Sequence, residues 1–175
     1  MIARETYTPG PATGARIQKD GETWTLVFVR ELRHPREKVW RALTDPAQLR
    51  EWAPFEIAGN LESVGNIMLT WVGTPQALEL RVTRVEAPRA LEYGNMRWEL
   101  DAVGGGTRLT LWATLDRRYI AMGAAGWHVS FDILDHLLSG NPIGRIAGGE
   151  AVKFSGWQRL HAEYAKQFNA EWPTP

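Results

Sequence analysis

Between Phe55 and Leu115 the apolar residues recur at every second position. Ile67, Leu69 and Trp71 alternate with Met68, Thr70 and Val72; Leu78, Leu80 and Val82 with Glu79, Arg81 and Thr83; Leu109, Leu111 and Ala113 with Thr110, Trp112 and Thr114. Leu91 and Tyr93 flank Glu92, and Trp98 and Leu100 flank Glu99. This period predicts strands with one wet face. Val72-Gly73-Thr74-Pro75, Ala87-Pro88-Arg89 and Gly104-Gly105-Gly106 supply turns between them, so the sheet is a mainly antiparallel meander. Upstream, Asp20-Gly21 lies between Ala15–Gln18 and the β-branched, aromatic run ending at Leu32, which predicts a type I′ hairpin.

Elsewhere the period changes to that of a helix. After the first long strand, Val39, Trp40 and Leu43 recur at helical spacing behind a His34 cap and Pro35, and Asp45-Pro46 opens a second short helix carrying Leu49 and Trp52. The longest such pattern is Tyr119–Leu138, closed by Gly140-Asn141-Pro142. At 100° per residue, Ile120, Gly123, Trp127, Phe131, Leu134 and Leu138 share one face, and His128, Asp132, Asp135 and His136 another. A one-sided sheet needs a cover, and this helix, about 30 Å long at 1.5 Å per residue, is suited to it. Gly123, Ala124 and Gly126 thin its N-terminal half, which predicts space between helix and sheet. A last helix runs from about Glu150 to Phe168, with Phe154, Trp157, Leu160, Tyr164 and Phe168 at steps of three and four. The first dozen or so residues, with Pro9, Gly10, Pro11 and Gly14, read as irregular and mobile.

Composition narrows the classes. The 175 residues suit one α+β domain, 1–175, with a core over about 15–140 and a helical extension over about 141–170. With no cysteine there is neither a disulfide framework nor a thiolate nucleophile. Twenty basic and twenty acidic side chains cancel, and no basic cluster interleaved with aromatics suggests nucleic acid. No segment approaches the roughly 20 apolar residues of a membrane span or offers a signal-peptide core, which leads to a cytoplasmic reading.

The stretches Arg30–Trp52, Gly104–Leu115 and Gly126–Gly140, in this order of strand, two short helices, antiparallel strands and long helix, resemble the family of homologues of the activator of the Hsp90 ATPase. That family lies within the START-like (SRPBCC) superfamily. The resemblance implies a helix-grip fold, a curved antiparallel sheet wrapped around a long C-terminal helix and an apolar cavity. It also implies three roles: binding or sensing of a small hydrophobic or amphipathic ligand, a chaperone-linked interaction module, or a cyclase- or hydratase-type enzyme using the same cavity.

Candidate ligand-binding residues are Trp71, Tyr93, Trp98, Ile120, Gly123 and Trp127, an aromatic set expected to face the helix; they either line a cavity or simply fill the core. His128, Asp132 and His136, at i, i+4 and i+8, have donor types that zinc or iron accepts. A solvated face laced with i,i+4 pairs accounts for them better, so no metal or other cofactor is expected. Glu99 and the Asp116-Arg117-Arg118 junction carry groups able to do acid–base work, but alternation puts Glu99 on the wet face and charges at a strand-to-helix junction are ordinary. Phosphate and nucleophile motifs are absent, so no catalytic residue is assigned.

Overall fold

The computed structural model describes residues 2–171. A short helix α1 (Ile2–Thr6) precedes the hairpin β1 (Ala15–Asp20) and β2 (Thr23–Leu32). Helices α2 (Arg36–Thr44) and α3 (Pro46–Trp52) follow, then β3 (Phe55–Ala58), β4 (Gly65–Trp71), β5 (Ala77–Glu86), β6 (Ala90–Tyr93), β7 (Met96–Val103) and β8 (Gly106–Thr114). A 3-10 turn at Arg117–Tyr119 leads into the long helix α4 (Ile120–Leu138), and α5 (Gly148–Lys153) and α6 (Ser155–Glu171) complete the described chain. The eight strands form one antiparallel sheet in the order β1-β2-β8-β7-β6-β5-β4-β3, the curved sheet of a helix-grip fold.

Local chemistry explains most boundaries. Asp45 caps α3 by accepting from the Ala47 amide at 2.9 Å, and Pro46 takes the first helical position, where its missing N–H costs nothing. At α2 the expected His34 cap is replaced by Pro35, because the His34 ring turns to α4 and lies 2.8 Å from Asp135 Oδ1. In the first hairpin Asp20 pairs with Thr23, so the two-residue loop is Gly21-Glu22 rather than Asp20-Gly21. Only Gly21 has positive φ, +63°, which fits a II′ turn and not the predicted I′.

The interior is aromatic. Trp52, Trp98, Trp127 and Phe131 meet with ring centroids 5.4 to 6.5 Å apart where α3 and α4 face the sheet. Trp52 is fully buried and donates its indole N–H to the Ala42 carbonyl at 2.9 Å, which fixes α3 against α2. Alternation holds through β7 and β8, where Trp98, Leu100, Leu109, Leu111 and Ala113 point inward. It is weaker in β5. Leu78 and Leu80 share a face with Val82, yet only Val82 is buried, since the helices pack on β2, β3, β7 and β8 instead.

Two expectations about the ends need correction. The predicted final helix is broken at Phe154, whose extended backbone separates α5 from α6 and whose ring stacks on Tyr7. The first dozen residues are pinned to the body. Arg159 donates to the Pro9 and Gly10 carbonyls, Gln167 to Ala12 O at 2.7 Å, and the Tyr164 hydroxyl to Thr13 O at 3.0 Å. The N-terminal segment therefore straps α6 down onto α4. Among the described residues no helix is long and apolar enough to cross a membrane.

Candidate functional site

Met122, Gly123, Gly126, Trp127 and Ser130 fall at helical spacing along one stripe of α4, continued by Tyr119 in the turn before it, and over that stripe the packing is interrupted. The result is a cavity of about 350 Å³. Trp71 at the end of β4, Pro54 before β3 and Leu115 after β8 form one side. The opposite side is the connection into α5, from Ile146 to Val152, together with Trp157 of α6. No Asp, Glu, His, Lys or Arg is among the lining residues. Tyr119, Met122 and Val152 are exposed and rim the opening.

The six residues singled out from sequence divide evenly. Trp71, Gly123 and Trp127 line the cavity, whereas Tyr93, Trp98 and Ile120 do not. Those three are fully buried in the packed layer between sheet and helix. Burial pushes the Tyr93 phenol well above its ordinary range, so it stays protonated.

The expected gap between helix and sheet is closed, because the rings there interlock. At Gly123 the missing side chain gives close approach: a Cβ would lie 2.8 Å from Leu115 Cδ1 and 3.7 Å from Leu26 Cδ2. Gly126 opens differently. Its nearest neighbour to an added Cβ is Trp157 Nε1 at 3.9 Å, on the far wall of the cavity. The hollow therefore sits at the mouth of the grip, roofed by the C-terminal extension.

Ser130 is fully buried, lines this cavity, and its Oγ has no hydrogen-bond partner among the described residues. Sequence reasoning passed over it and Trp157. The signal available was the spacing of small residues, Gly123, Gly126 and Ser130 at i, i+3 and i+7.

The polar face of α4 is solvated only in part: Asp135 is exposed, whereas the residues nearer the middle of the helix are covered by other elements. His128 is buried, its Nδ1 2.7 Å from the Tyr164 hydroxyl. Since that hydroxyl donates to Thr13 O, the imidazole is the donor in the pair with Tyr164. Burial pushes the His128 pKa down to about 4, against an opposing pull from Asp132. Asp132 accepts from Arg30 Nη1 and from the Tyr7 hydroxyl, both at 2.6 Å. His136 lies edge-on to Tyr7, so His128, Asp132 and His136 are each engaged by neighbouring elements rather than converging on one point. Among the described residues no group of three or more His, Asp or Glu is placed to hold a metal ion. Glu99 pairs with Arg97 at 3.4 Å and Asp116 with Arg118 at 3.0 Å, both outside the cavity.

Comparison with known proteins agrees with this architecture. A conserved protein of unknown function from Enterococcus faecalis superposes with a TM-score of 0.68 at 15% identity, covering 91% of this chain and 92% of the other. CalU16 from Micromonospora echinospora gives 0.62 at 24% identity, covering 94% and 98%. DynU16, a protein of the dynemicin biosynthetic locus, gives 0.60 at 20% identity, covering 70% of this chain and 50% of that one. No curated protein matches the chain. Residues 33–139 match the family described as Activator of Hsp90 ATPase homolog 1-like protein. With well over half of its length in that match and a helix-grip fold around α4, the chain belongs to this family of the START-like superfamily.

Proposed function

We propose that this protein binds a small, largely apolar molecule in the cavity between the N-terminal half of α4 and the C-terminal extension. The observation that carries the reading is an apolar hollow of about 350 Å³ with no ionisable carboxylate, imidazole, amine or guanidinium in its lining. That size falls within the roughly 300–1,000 Å³ of small-molecule sites, which are mostly apolar with a few placed polar groups. The same lining supports a binding role over acid–base chemistry, which needs a titratable group within reach of the substrate. Tryptophans 71, 127 and 157 would supply flat, rigid contact surface.

The test is titration with prodan, a neutral naphthyl ketone whose emission shifts to the blue in apolar surroundings. Wild-type protein should bind it with low-micromolar affinity. Gly126→Leu should abolish binding by filling the space below Trp157, while Gly126→Ala, whose Cβ meets only an ordinary contact, should retain it. Equal binding by wild type and Gly126→Leu would count against the site.

A second reading, a chaperone-linked interaction module, draws on the family's description and on the exposed rim of Tyr119, Met122 and Val152. It predicts a stoichiometric complex with Hsp90 that Met122→Lys weakens. No co-elution of the purified proteins would refute it.

A further inference from the structure

Ser130 poses a chemical problem that the apolar cavity alone does not answer. A fully buried hydroxyl without a partner destabilises the fold, and alanine at the same place would remove that cost and improve helix propensity. Its position is informative. Ser130 stands one helical turn beyond Gly126, on the stripe that lines the cavity. Across Gly126 lies the indole Nε1 of Trp157, which also lines the cavity and makes no hydrogen bond among the described residues. A hydroxyl without a partner and an indole N–H thus both belong to residues bordering one otherwise apolar space.

Resting on the binding role proposed above, we infer that the ligand is a neutral molecule carrying one hydrogen-bond-accepting oxygen, received by Ser130 Oγ with help from Trp157 Nε1. Neutrality follows from the lining. A carboxylate, phosphate or ammonium would lose its hydration there and find no opposite charge. An accepting oxygen follows from the donor type, because indole N–H can only donate and a serine hydroxyl can turn its proton toward the ligand. A ketone, ester or ether oxygen on a compact ring system meets both conditions. Hydrocarbon of the same shape would enter but leave both donors idle.

The experiment compares two competitors for bound prodan, 2-acetylnaphthalene and 2-isopropenylnaphthalene, which differ only in carbonyl oxygen against methylene. Ser130→Ala should weaken the ketone roughly 3- to 10-fold, the range of one neutral hydrogen bond, and leave the alkene unchanged. Trp157→Phe, which keeps an aromatic ring but loses the N–H, should act in the same direction. Thermal unfolding of Ser130→Ala should show a midpoint no lower than wild type, as expected of a residue kept for binding and not for packing. The carboxylate 2-naphthoate should compete more weakly than either. Equal losses for ketone and alkene, no loss for either, or tight binding of the carboxylate would each overturn the inference while leaving a binding cavity in place. If prodan fails to bind wild-type protein at all, the cavity reading falls and this inference with it.

Discussion

Removing the carboxylate of Asp132 should be among the costlier single changes in this protein. Asp132 accepts from Arg30 and from the Tyr7 hydroxyl at 2.6 Å each, and the Arg30 and Asp132 side chains are only 20% and 18% exposed. In Asp132→Ala the guanidinium keeps its charge in a site with little water, and the phenol loses its acceptor. Breaking a fully buried pair costs about 3–5 kcal/mol, and the residual exposure here places the expected loss near the lower end, about 3 kcal/mol. For a chain of this size about 2–4 °C is lost per kcal/mol, so the midpoint should fall by roughly 6–12 °C. Asp132→Asn, which keeps one accepting oxygen, should lose about half as much. Thermal unfolding at pH 7 in low salt and in 0.5 M NaCl gives the measurement, and the loss should persist in salt because a shielded pair is screened little. A cycle with Arg30→Met should show a coupling of at least about 1 kcal/mol. A loss below about 0.5 kcal/mol in Asp132→Ala would refute the reasoning, since the pair would then act as a surface contact.

Other outcomes follow from neighbouring features. Gly126→Ala should stabilise by about 0.5–1 kcal/mol, the helix-interior difference between the two residues, because its Cβ finds only Trp157 Nε1 at 3.9 Å; a lowered denaturant midpoint would contradict this. Trp52→Ala should cost about 3–5 kcal/mol, as it empties the centre of the aromatic cluster and orphans the Ala42 carbonyl; retention of wild-type stability would show that α3 is not anchored there. Acid should destabilise through His128. Its pKa is about 4 in the fold against an ordinary 6.5, so the unfolded chain takes up the proton first as pH falls. This contribution is full above about pH 6.5 and is lost between there and about pH 4, up to roughly 3 kcal/mol at 1.4 kcal/mol per unit. His128→Gln should flatten that slope in denaturant titrations, and an unchanged slope would assign it to other groups.

Much of this architecture was legible because its signals are local. Period-two alternation located β7 and β8, Asp45-Pro46 marked the start of α3, and the spacing through Phe131 and Leu134 marked α4 as a core helix. What escaped depends on distant partners. The face bearing His128 and Asp132 reads as solvated because polar residues at helical spacing usually are. Tyr7, Arg30 and Tyr164, from 36 to 125 positions away, bury it instead. Phe154 carries no breaking signal of its own, and α5 ends there as its ring meets Tyr7. Glycines in α4 predict space between helix and sheet, but volume missing from a helix can bring a neighbour closer, as at Gly123, or leave a hollow, as at Gly126. Which happens is settled by Leu115 and Trp157, and no periodicity in α4 encodes either.

The two walls of the cavity have different provenance. Trp71, Leu115, Gly126 and Ser130 lie within the stretch 33–139 that matches the family, whereas Ile146, Ala151 and Trp157 lie after it. Under the binding role proposed above, preference for one molecule over another is therefore open to revision through the tail, within the limit that the tail also places the Tyr164 hydroxyl against the buried His128 of α4. A chimaera carrying a foreign tail on this core would keep Ser130 in its lower wall and acquire a new ceiling.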